Sequence, residues 1–416
     1  MKQLIIEGQK ELTGEIKISG AKNSVVALIP AAILSDEEVT LYNVPNISDT
    51  NALIDIIELL NGKVEYENEV MRIDTHNIEN KVVPENLSKK LRASYYFMGA
   101  LLGKYKEVKI KMPGGCYLGP RPIDLHLKGF KKLGICIEEK GGFIKCYADR
   151  IVGNDIHLDF PSVGATENII LASVFAEGET ILSNAAMEPE IIDLQNFLNR
   201  MGAKVEGAGT NVIRITGVRK LNSVSYNIMP DRIEAGTFLC MAAVTAGEVI
   251  LNNVELEHIN PVIHKLKETG SKIIVEKNRV IIQAPKRLKA VDIKTLPYPG
   301  FPTDMQSIFV STLTVAKGSS MIVENIFENR YKYVNELIRM GAKIKIEGKV
   351  ALVKGVRKLI SAEVNSTDLR GGAAMCVAAL TAKGKSKINN IEYILRGYEN
   401  LEKKITNLGG KISKID

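Results

Sequence analysis

The chain of 416 residues contains no tryptophan, only five histidines and only five cysteines. The cysteines stand at positions 116, 136, 146, 240 and 376, and none of them forms a CxxC pair. This spacing excludes a dense disulfide framework and the common zinc motifs, so we expect free thiols and no metal. Free thiols, together with an N-terminal stretch that turns charged at once (MKQLIIEGQKELTGE), lead us to expect a cytoplasmic protein without an export signal.

Long apolar runs are also missing. No run reaches the roughly 20 residues that a membrane-spanning helix needs. Apolar residues make up 45% of the chain and charged residues 25%, which is typical of a globular protein and, at this length, of two domains. The formal net charge is +7, yet Lys and Glu are mixed throughout and no basic tail is present. We therefore expect an anionic small-molecule substrate, and neither nucleic acid nor a membrane as partner.

What the sequence does contain is an internal repeat. A short element recurs six times, and its second residue stands at 61, 134, 202, 270, 341 and 409. An amphipathic pattern precedes each copy, and the Gly found at five of these six positions predicts a helix C-cap followed by a strand. The six copies read LNGKVE, LGICIE, MGAKVE, TGSKII, MGAKIK and LGGKIS.

Two further strand-like elements share this period, for example EVILNNV (248–254) and SVSYNIM (223–229). Together the elements predict an α/β fold of six βαβαββ units, three in each of two domains. A break in the pattern lies near residue 229.

Polar residues open the long apolar helix of each unit. A helix N-terminus carries unpaired N–H groups and positive potential, so several such ends around one cleft would bind an anion. Asp and Ser at these starts are equally compatible with plain N-caps. The cations are not, because a positive charge is disfavoured there unless an anion accompanies it. The six starts are Lys22–Asn23, Arg92–Ser94, Ser162–Thr166, Asp231–Glu234, Asp304 and Asp368–Arg370.

The segment Pro113–His126, PGGCYLGPRPIDLH, is too rich in Pro and Gly for a helix or a central strand. Its Cys116 stands five residues before Arg121. A thiol beside a cation tends to have a lowered pKa and greater reactivity, and the neighbouring Gly114 and Gly115 would let a ligand approach the sulfur. We expect a loop that closes over substrate. A surface turn with an incidental cysteine is the alternative reading.

Ten motifs follow one another along the chain: SGAKN, LRAS, PGGCYLGPRPIDLH, PSVGAT, NAAMEPEI, PDRIEAGTFL, PGFPTDMQ, FENR, STDLRGG and RGYE. They resemble those of the UDP-N-acetylglucosamine 1-carboxyvinyltransferases, also called UDP-GlcNAc enolpyruvyl transferases, of the EPSP synthase family. The resemblance runs through the whole chain. It implies the two-domain inside-out α/β barrel, with one domain over 21–229 carrying the Cys116 loop, a second formed by 1–20 plus 230–416, and an active site in the cleft between them.

The family reaction transfers the enolpyruvyl group of phosphoenolpyruvate to the 3-hydroxyl of UDP-GlcNAc and releases phosphate, as the first committed step of peptidoglycan synthesis. It needs a general acid, a general base and several cations, but no cofactor. The resemblance implies that Cys116 is the acid at C3 of phosphoenolpyruvate and Asp304 the base on the sugar hydroxyl, with Lys22 and Arg396 also catalytic. The phosphoenolpyruvate contacts it implies are Lys22, Asn23, Arg121, Arg330, Arg370 and Arg396, and Asp368 is expected to hold one of these arginines.

For UDP-GlcNAc the resemblance implies a longer set of contacts, in which Pro122 and Ile123 wall the uracil and Asp124 reads its polar edge. Two departures from many family members remove cations near the substrates, at Asn46–Ser48 and at Phe160. Cys136, Cys146, Cys240 and Cys376 are expected in the core. The implied UDP-GlcNAc residues are Arg92, Arg121, Pro122, Ile123, Asp124, Leu125, Ser162, Val163, Gly164, Asp304 and Ile326.

Two other functions remain open at this stage. A sister enzyme, enolpyruvylshikimate phosphate synthase, shares the fold and phosphoenolpyruvate but uses no loop cysteine. A non-catalytic nucleotide-sugar binder of the same fold would not need Cys116 or Asp304. The oligomeric state is not predicted.

Overall fold

A computed structural model describes residues 2–84, 95–111 and 123–415. Within these ranges the chain forms 23 strands. The strands are β1 Gln3–Glu7, β2 Thr13–Lys17, β3 Val39–Tyr42, β4 Lys63–Glu67, β5 Val70–Asp74, β6 Glu107–Lys111, β7 Cys136–Lys140, β8 Phe143–Tyr147, β9 Asp155–His157, β10 Glu179–Ser183, β11 Lys204–Glu206, β12 Val212–Thr216, β13 Val224–Asn227, β14 Glu248–Asn252, β15 Lys272–Glu276, β16 Arg279–Gln283, β17 Ile293–Lys294, β18 Ser319–Val323, β19 Lys343–Glu347, β20 Val350–Lys354, β21 Glu363–Asn365, β22 Lys385–Asn389 and β23 Lys411–Ile415.

The described ranges also contain 12 α-helices and two short 3₁₀ turns, Thr303–Met305 and Ile394–Arg396. The helices are α1 Lys22–Ala32, α2 Ser48–Leu59, α3 Tyr96–Tyr105, α4 Asp124–Lys132, α5 Val163–Ser173, α6 Pro189–Arg200, α7 Arg232–Val244, α8 Leu256–Glu268, α9 Gln306–Leu313, α10 Val334–Arg339, α11 Leu369–Thr381 and α12 Leu401–Asn407. None of these helices has the length and apolar character needed to cross a bilayer.

The described chain divides into two compact units. One unit holds residues 20–84, 95–111 and 123–229, and the other holds residues 2–19 and 230–415. We call them the central unit and the terminal unit. The chain therefore passes from one unit to the other at 19/20 and again at 229/230. The expected cleft between two domains stays a prediction.

Each unit contains three small sheets, and the sheets share one plan. In five of the six, an edge strand runs parallel to its neighbour, and the remaining two strands are antiparallel. These two strands form a hairpin in every such sheet except β21-β22-β1-β23, where they are β1 and β23. The sixth sheet, β6-β8-β7, has three strands and a single parallel bridge from Val83 to Ile110 in place of the edge strand. The predicted six βαβαββ repeats of an α/β protein are confirmed.

Two strands cross between repeats. β2 leads into α1 along the chain but pairs in parallel with β14, whereas β13 leads into α7 and pairs in parallel with β3. β1 closes the last sheet, where it lies antiparallel between β22 and β23 with Gln3 opposite Ile415. The terminal unit is therefore built from both ends of the chain.

One helix of each repeat is buried all round and lies inside its unit, while the sheets lie outside it. In α11 every residue from Arg370 to Thr381 is buried, and in α7 every residue from Ile233 to Ala243 is buried. Helices that are apolar on every face can exist only in such surroundings. This arrangement, with the helices inside and the sheets outside, is the inside-out barrel that the family resemblance implies. The polar residues in the first turns of the inner helices are therefore the candidates for substrate binding and catalysis.

Two glycines allow the inner helices of the central unit to pack closely. A Cβ added to Gly99 of α3 would lie 2.5 Å from the Asn168 carbonyl oxygen of α5. A Cβ added to Gly103 would lie 2.6 Å from the Leu171 carbonyl oxygen. The backbones of α3 and α5 therefore meet with no room for side chains between them.

Candidate active site

Lys22 is the first residue of α1, and it has a buried acidic neighbour. Its Nζ lies 3.5 Å from Oδ2 of Asp49, which is in the first turn of α2 and is 1% exposed. α1 has no side-chain N-cap and no acidic residue in its own first turn. The Asp49 carboxylate thus offsets the cost of a cation at a helix N-terminus. Lys22 keeps 18% of its side-chain surface exposed, which leaves it accessible to a ligand.

Asn23, the next residue, is held by a second helix. Its Nδ2 donates a hydrogen bond of 3.1 Å to Oε1 of Glu190 in the first turn of α6. Glu190 is 2% exposed. The two residues of the predicted phosphoenolpyruvate pair therefore each contact a carboxylate from another helix, Asp49 of α2 for Lys22 and Glu190 of α6 for Asn23.

A third acidic residue of the central unit, Glu167 of α5, is completely buried. Burial raises the pKa of Glu167 well above its usual value, and the nearby negative charge of Glu190 raises it further. The Tyr96 hydroxyl and Lys22 act on the same pKa in the opposite direction. Its surroundings therefore favour the protonated, neutral form of this side chain.

The predicted nucleotide-sugar residues of the central unit lie at the starts of α4 and α5, which pack together. Ile123 is the N-cap residue of α4, followed by Asp124 and Leu125. Ser162 caps α5 by accepting a 3.4 Å hydrogen bond from the Ala165 N–H, and Val163 and Gly164 open the helix. The structure thus brings the two predicted groups to neighbouring helix N-termini, where N–H groups suit a diphosphate.

His126 lies between these two helix starts. A Cβ added to Gly164 would lie 3.2 Å from His126 Cε1, a tight contact that the glycine avoids. Burial lowers the pKa of His126 to about 4, which makes the imidazole neutral near pH 7. This residue was not among the predicted site residues.

In the terminal unit, Asp304 lies between two arginines. Its Oδ1 is 3.0 Å from Arg330 Nη2 and its Oδ2 is 2.9 Å from Arg370 Nη2. Both arginines are almost fully buried, whereas 28% of the Asp304 side chain is exposed. The three residues are 26 and 66 positions apart along the chain. The fold therefore assembles a carboxylate and two cations that the sequence predicts as base and anion ligands.

The Arg370 guanidinium is further supported on its other side. Its Nη1 donates a 3.4 Å hydrogen bond to the Tyr398 hydroxyl, which itself lies 2.8 Å from Thr237 Oγ1. Burial acts to lower the pKa of Arg370, but Asp304, Tyr398 and Asp231 together raise it above its usual value. Arg370 is therefore a permanent cation held at a fixed position.

Asp368 supports Arg370 through the backbone. Its Oδ1 accepts hydrogen bonds of 3.0 Å from the N–H groups of Arg370 and Gly371, which makes it the N-cap of α11. The guanidinium of Arg370 is bound by Asp304 instead. Asp231 caps α7 in the same way, through Ile233 and Glu234.

Ile326 is tied to the turn that carries Asp304. The buried carboxylate of Glu324 accepts a 2.9 Å hydrogen bond from the Ile326 N–H and two hydrogen bonds from Thr303 Oγ1, at 3.1 and 3.0 Å. Arg330 adds a hydrogen bond of 3.1 Å to the Thr303 carbonyl oxygen. These contacts connect Ile326 to Asp304, the two predicted UDP-GlcNAc contacts of this unit.

Arg396 ends the 3₁₀ turn Ile394–Arg396 and is half-buried, two residues before Tyr398. The remaining predicted residues, Arg92, Cys116, Arg121 and Pro122, lie outside the described residues. Within the described ranges no three His, Cys, Asp or Glu side chains come together as a metal site requires.

One expectation about the cysteines is wrong. Cys146, Cys240 and Cys376 are buried and free, but Cys136 is free and exposed. It begins β7, an edge strand whose side chains are mostly exposed, so its apolar sequence neighbours do not indicate a core position. Burial raises the pKa of each buried thiol to about 12, which makes these three unreactive.

Sequence reasoning missed Asp49, Glu190, Glu167 and His126. The only local sign of the first two is an acidic residue in the first turn of an amphipathic helix, at SDT (48–50) and PEI (189–191). That sign is also the ordinary complement to a helix dipole, so it does not distinguish a site residue.

The amino-acid sequence matches a known protein family. The chain matches the family model of EPSP synthase (3-phosphoshikimate 1-carboxyvinyltransferase) over residues 6–405. It is 51% identical over 410 residues to UDP-N-acetylglucosamine 1-carboxyvinyltransferase 1 of Caldanaerobacter subterraneus, covering 99% of both chains. It is 48% identical to UDP-N-acetylglucosamine 1-carboxyvinyltransferase 2 of Carboxydothermus hydrogenoformans, covering 100% of both chains.

Solved structures give the same fold. The enolpyruvyl transferase NikO of Streptomyces tendae superposes with a TM-score of 0.90 at 23% identity, covering 99% of this chain and 98% of NikO. EPSP synthase of Acinetobacter baumannii superposes with a TM-score of 0.78 at 18% identity, covering 100% of both chains. At these identities the likeness concerns architecture alone.

Proposed function

Since this chain belongs to the UDP-N-acetylglucosamine 1-carboxyvinyltransferases, within the wider EPSP synthase family, we propose which of its residues carry out the family's reaction. The activity is enolpyruvyl transfer from phosphoenolpyruvate to UDP-GlcNAc, a transferase step of peptidoglycan synthesis, with phosphate as the second product. The observation that carries the residue assignment is Asp304 between two buried arginines, at the start of an inner helix.

Phosphoenolpyruvate carries two anionic groups, a phosphate and a carboxylate. We propose that they are bound by Lys22, Asn23, Arg121, Arg330, Arg370 and Arg396. Arg330 and Arg370 suit this task because a buried guanidinium presents several donors in a fixed plane. Arg330 has one such donor to spare, since its buried Nε makes no hydrogen bond within the described residues.

UDP-GlcNAc is proposed to bind at the helix starts of the central unit, through Ile123, Asp124, Leu125 and Ser162–Gly164, together with Arg92, Arg121 and Pro122. Ile326 and Asp304 of the terminal unit would contact the same molecule. The N–H groups that open α4 and α5 are natural partners for its diphosphate.

The chemistry then follows as addition and elimination. Cys116 gives a proton to C3 of phosphoenolpyruvate, Asp304 takes the proton of the sugar 3-hydroxyl, and the sugar oxygen forms a bond to C2. The Cys116 thiolate then takes a proton back from C3 while phosphate leaves C2 with the proton held by Asp304, which restores the double bond in the product. Lys22 and the arginines stabilise the negative charge of the departing phosphate.

The reaction is tested by measuring phosphate release from purified protein with phosphoenolpyruvate and UDP-GlcNAc. Release with this pair, and none when shikimate 3-phosphate replaces the sugar nucleotide, supports the assignment. Release with shikimate 3-phosphate alone would instead favour the sister activity. Binding of UDP-GlcNAc without any release would favour a non-catalytic binder.

We also propose that Cys116 is alkylated by the epoxide phosphonate fosfomycin, and faster when UDP-GlcNAc is bound. A phosphonate anion held by the proposed cations would place the epoxide carbon near the thiolate. Mass spectrometry of digested protein should find one adduct, on the Cys116 peptide. Cys136 is the exposed competitor, so a Cys136→Ser variant must label equally well. Labelling that is lost in this variant would remove Cys116 from the mechanism.

We place the reaction in the cytoplasm, where thiols such as the four free cysteines of the described chain remain reduced. Because peptidoglycan precursors supply the growing wall, loss of this activity should disturb cell shape and division.

A further inference from the structure

Asn23 and Glu190 are 167 residues apart in the sequence, yet they form a hydrogen bond of 3.1 Å from Asn23 Nδ2 to Glu190 Oε1. Asn23 is the second residue of α1 and Glu190 the second residue of α6, and the two helices pack together. Glu190 is 2% exposed, so its carboxylate is almost cut off from water. An acidic side chain is placed in such surroundings only where it meets charge or hydrogen-bond partners.

We propose that Glu190 is a positioning residue for phosphoenolpyruvate, acting through Asn23 by fixing the orientation of its side-chain amide. This inference rests on the proposed function, because it assumes that Asn23 contacts that substrate. Nothing in the family resemblance or the relatives' names assigns a role to Glu190.

The chemistry of the two groups explains why a carboxylate can do this. An amide presents a donor nitrogen on one side and an acceptor oxygen on the other, and its two orientations are nearly equal in shape. An ionised carboxylate only accepts hydrogen bonds, so it can face only the nitrogen. Glu190 therefore holds Nδ2 on its own side and leaves Oδ1 and the second N–H of Asn23 for a ligand.

The neighbouring Glu167 keeps this arrangement in place. It is fully buried, and burial together with the negative charge of Glu190 raises its pKa. A raised pKa favours the neutral form of Glu167. A neutral Glu167 does not compete with Glu190 for the hydrogen bond that Asn23 Nδ2 donates to it.

The preceding residue shows the same design. Lys22 Nζ lies 3.5 Å from Asp49, another nearly buried carboxylate in the first turn of a helix that packs on α1. Both acidic residues are stabilised by the positive ends of their own helices. Two adjacent residues of α1 thus take their orientation from two flanking helices rather than from the loop that precedes them.

The test compares Glu190→Gln with Glu257→Gln. Glu257 holds the same second position in α8, but it is exposed and so reports only the loss of a charge at a helix N-terminus.

Glutamine at 190 keeps the shape but can donate or accept, so the amide of Asn23 is no longer forced into one orientation. We expect kcat/KM for phosphoenolpyruvate to fall by about tenfold or more, as for loss of a hydrogen bond to a charged group. KM for UDP-GlcNAc should change less than about twofold, and Glu257→Gln should behave as wild type.

A double-mutant cycle with Asn23→Ala separates positioning from general damage. If Glu190 acts through Asn23, Glu190→Gln should have little further effect once Asn23 is alanine. Equal effects of Glu190→Gln in both backgrounds would overturn the proposal, and so would a fall in kcat/KM for both substrates together. Where the rates are too low to measure, the rise in melting temperature on adding phosphoenolpyruvate provides the same cycle.

The outcome also separates this inference from the function on which it rests. If the wild-type protein releases no phosphate with the two substrates, the proposed function fails. If wild type is active and Glu190→Gln equals it, only the positioning role of Glu190 is lost.

Discussion

At the scale of single residues, the surroundings of some carboxyl groups favour the ionised form and those of others favour the neutral form. Asp304 lies between two guanidinium groups and is partly exposed, whereas Glu167 is buried without a cation in direct contact among the described side chains. Opposite charges favour the ionised form and burial favours the neutral one. The same functional group can therefore serve as a base at one position and as a neutral spacer at another.

Asp304→Asn tests the first case. Turnover should fall by roughly 10²–10⁴-fold, the usual contribution of a general base, while KM for UDP-GlcNAc changes much less. The melting temperature should also fall, because Arg330 and Arg370 lose their shared counterion. Phosphate release and thermal unfolding measure both effects. Asp292→Asn, at an exposed carboxylate that binds the Met321 N–H, is the control. A turnover within about threefold of wild type would mean that another group is the base.

Glu167→Gln tests the second case through pH. Because the folded-state pKa of Glu167 lies above the unfolded value of 4.5, folding takes up a proton. The stability from this group is present below about pH 4.5 and is lost as the pH rises through the folded-state pKa. The variant should therefore gain melting temperature over wild type progressively as the pH rises above about 4.5.

Thermal unfolding across this pH range measures the difference. Glu206→Gln, at an exposed glutamate of the same unit, should show no such trend. If the gap between wild type and Glu167→Gln does not change with pH, Glu167 is not buried in its neutral form.

At the scale of elements, Gly99 of α3 marks a close approach of two helix backbones. Gly99→Ala would place a methyl group 2.5 Å from a backbone carbonyl oxygen of α5, which cannot move without moving the helix. Overpacking of this kind costs about 1–3 kcal/mol. Urea unfolding should show this loss.

Gly236→Ala in α7 is the matched control. Its nearest neighbours are Cε and Sδ of Met305, at 2.8 and 2.9 Å, which form the far end of a flexible side chain. The methionine can turn away, and alanine is favoured over glycine in a helix interior by about 1 kcal/mol. Gly236→Ala should therefore cost far less than Gly99→Ala. Equal losses of unfolding free energy in the two variants would show that the close contact between α3 and α5 does not make Gly99 harder to replace than Gly236.

The elements also show how far the sequence alone could reach. All six repeat positions, at 61, 134, 202, 270, 341 and 409, adopt positive φ as expected after a helix end. Such caps are local, so a sequence pattern reveals them. The contacts between Asn23 and Glu190 and between Asp304 and Arg370 join distant segments and leave no periodic trace. The core position predicted for Cys136 was wrong for a related reason. The exposure of a strand depends on which strands pair with it, and this pairing joins distant segments.

At the scale of the whole molecule, the sheet β21-β22-β1-β23 joins the two ends of the described chain. Because Gln3 lies opposite Ile415, a linker of about five residues should connect them without strain. New termini can be opened between Gly141 and Gly142, a turn where an added Cβ would meet nothing within 4 Å. The permuted protein, 142–415 followed by the linker and 2–141, should fold and release phosphate.

The same permutant without residues 2–8 is the control. It lacks β1, so β22 and β23 lose the strand between them, and we expect the terminal unit to fail to fold. Circular dichroism and phosphate release distinguish the two proteins. Equal behaviour would mean that β1 contributes little to the sheet.

The position of β1 also bears on synthesis. The central unit can complete its sheets once residue 229 has left the ribosome, because all of their strands have then been made. β1 is translated long before the strands with which it pairs, 385–389 and 411–415. It therefore stays unpaired until those strands have been made, as an apolar strand open to chaperones. Closing so long a loop is slow, so this sheet should be completed after the sheets of the central unit.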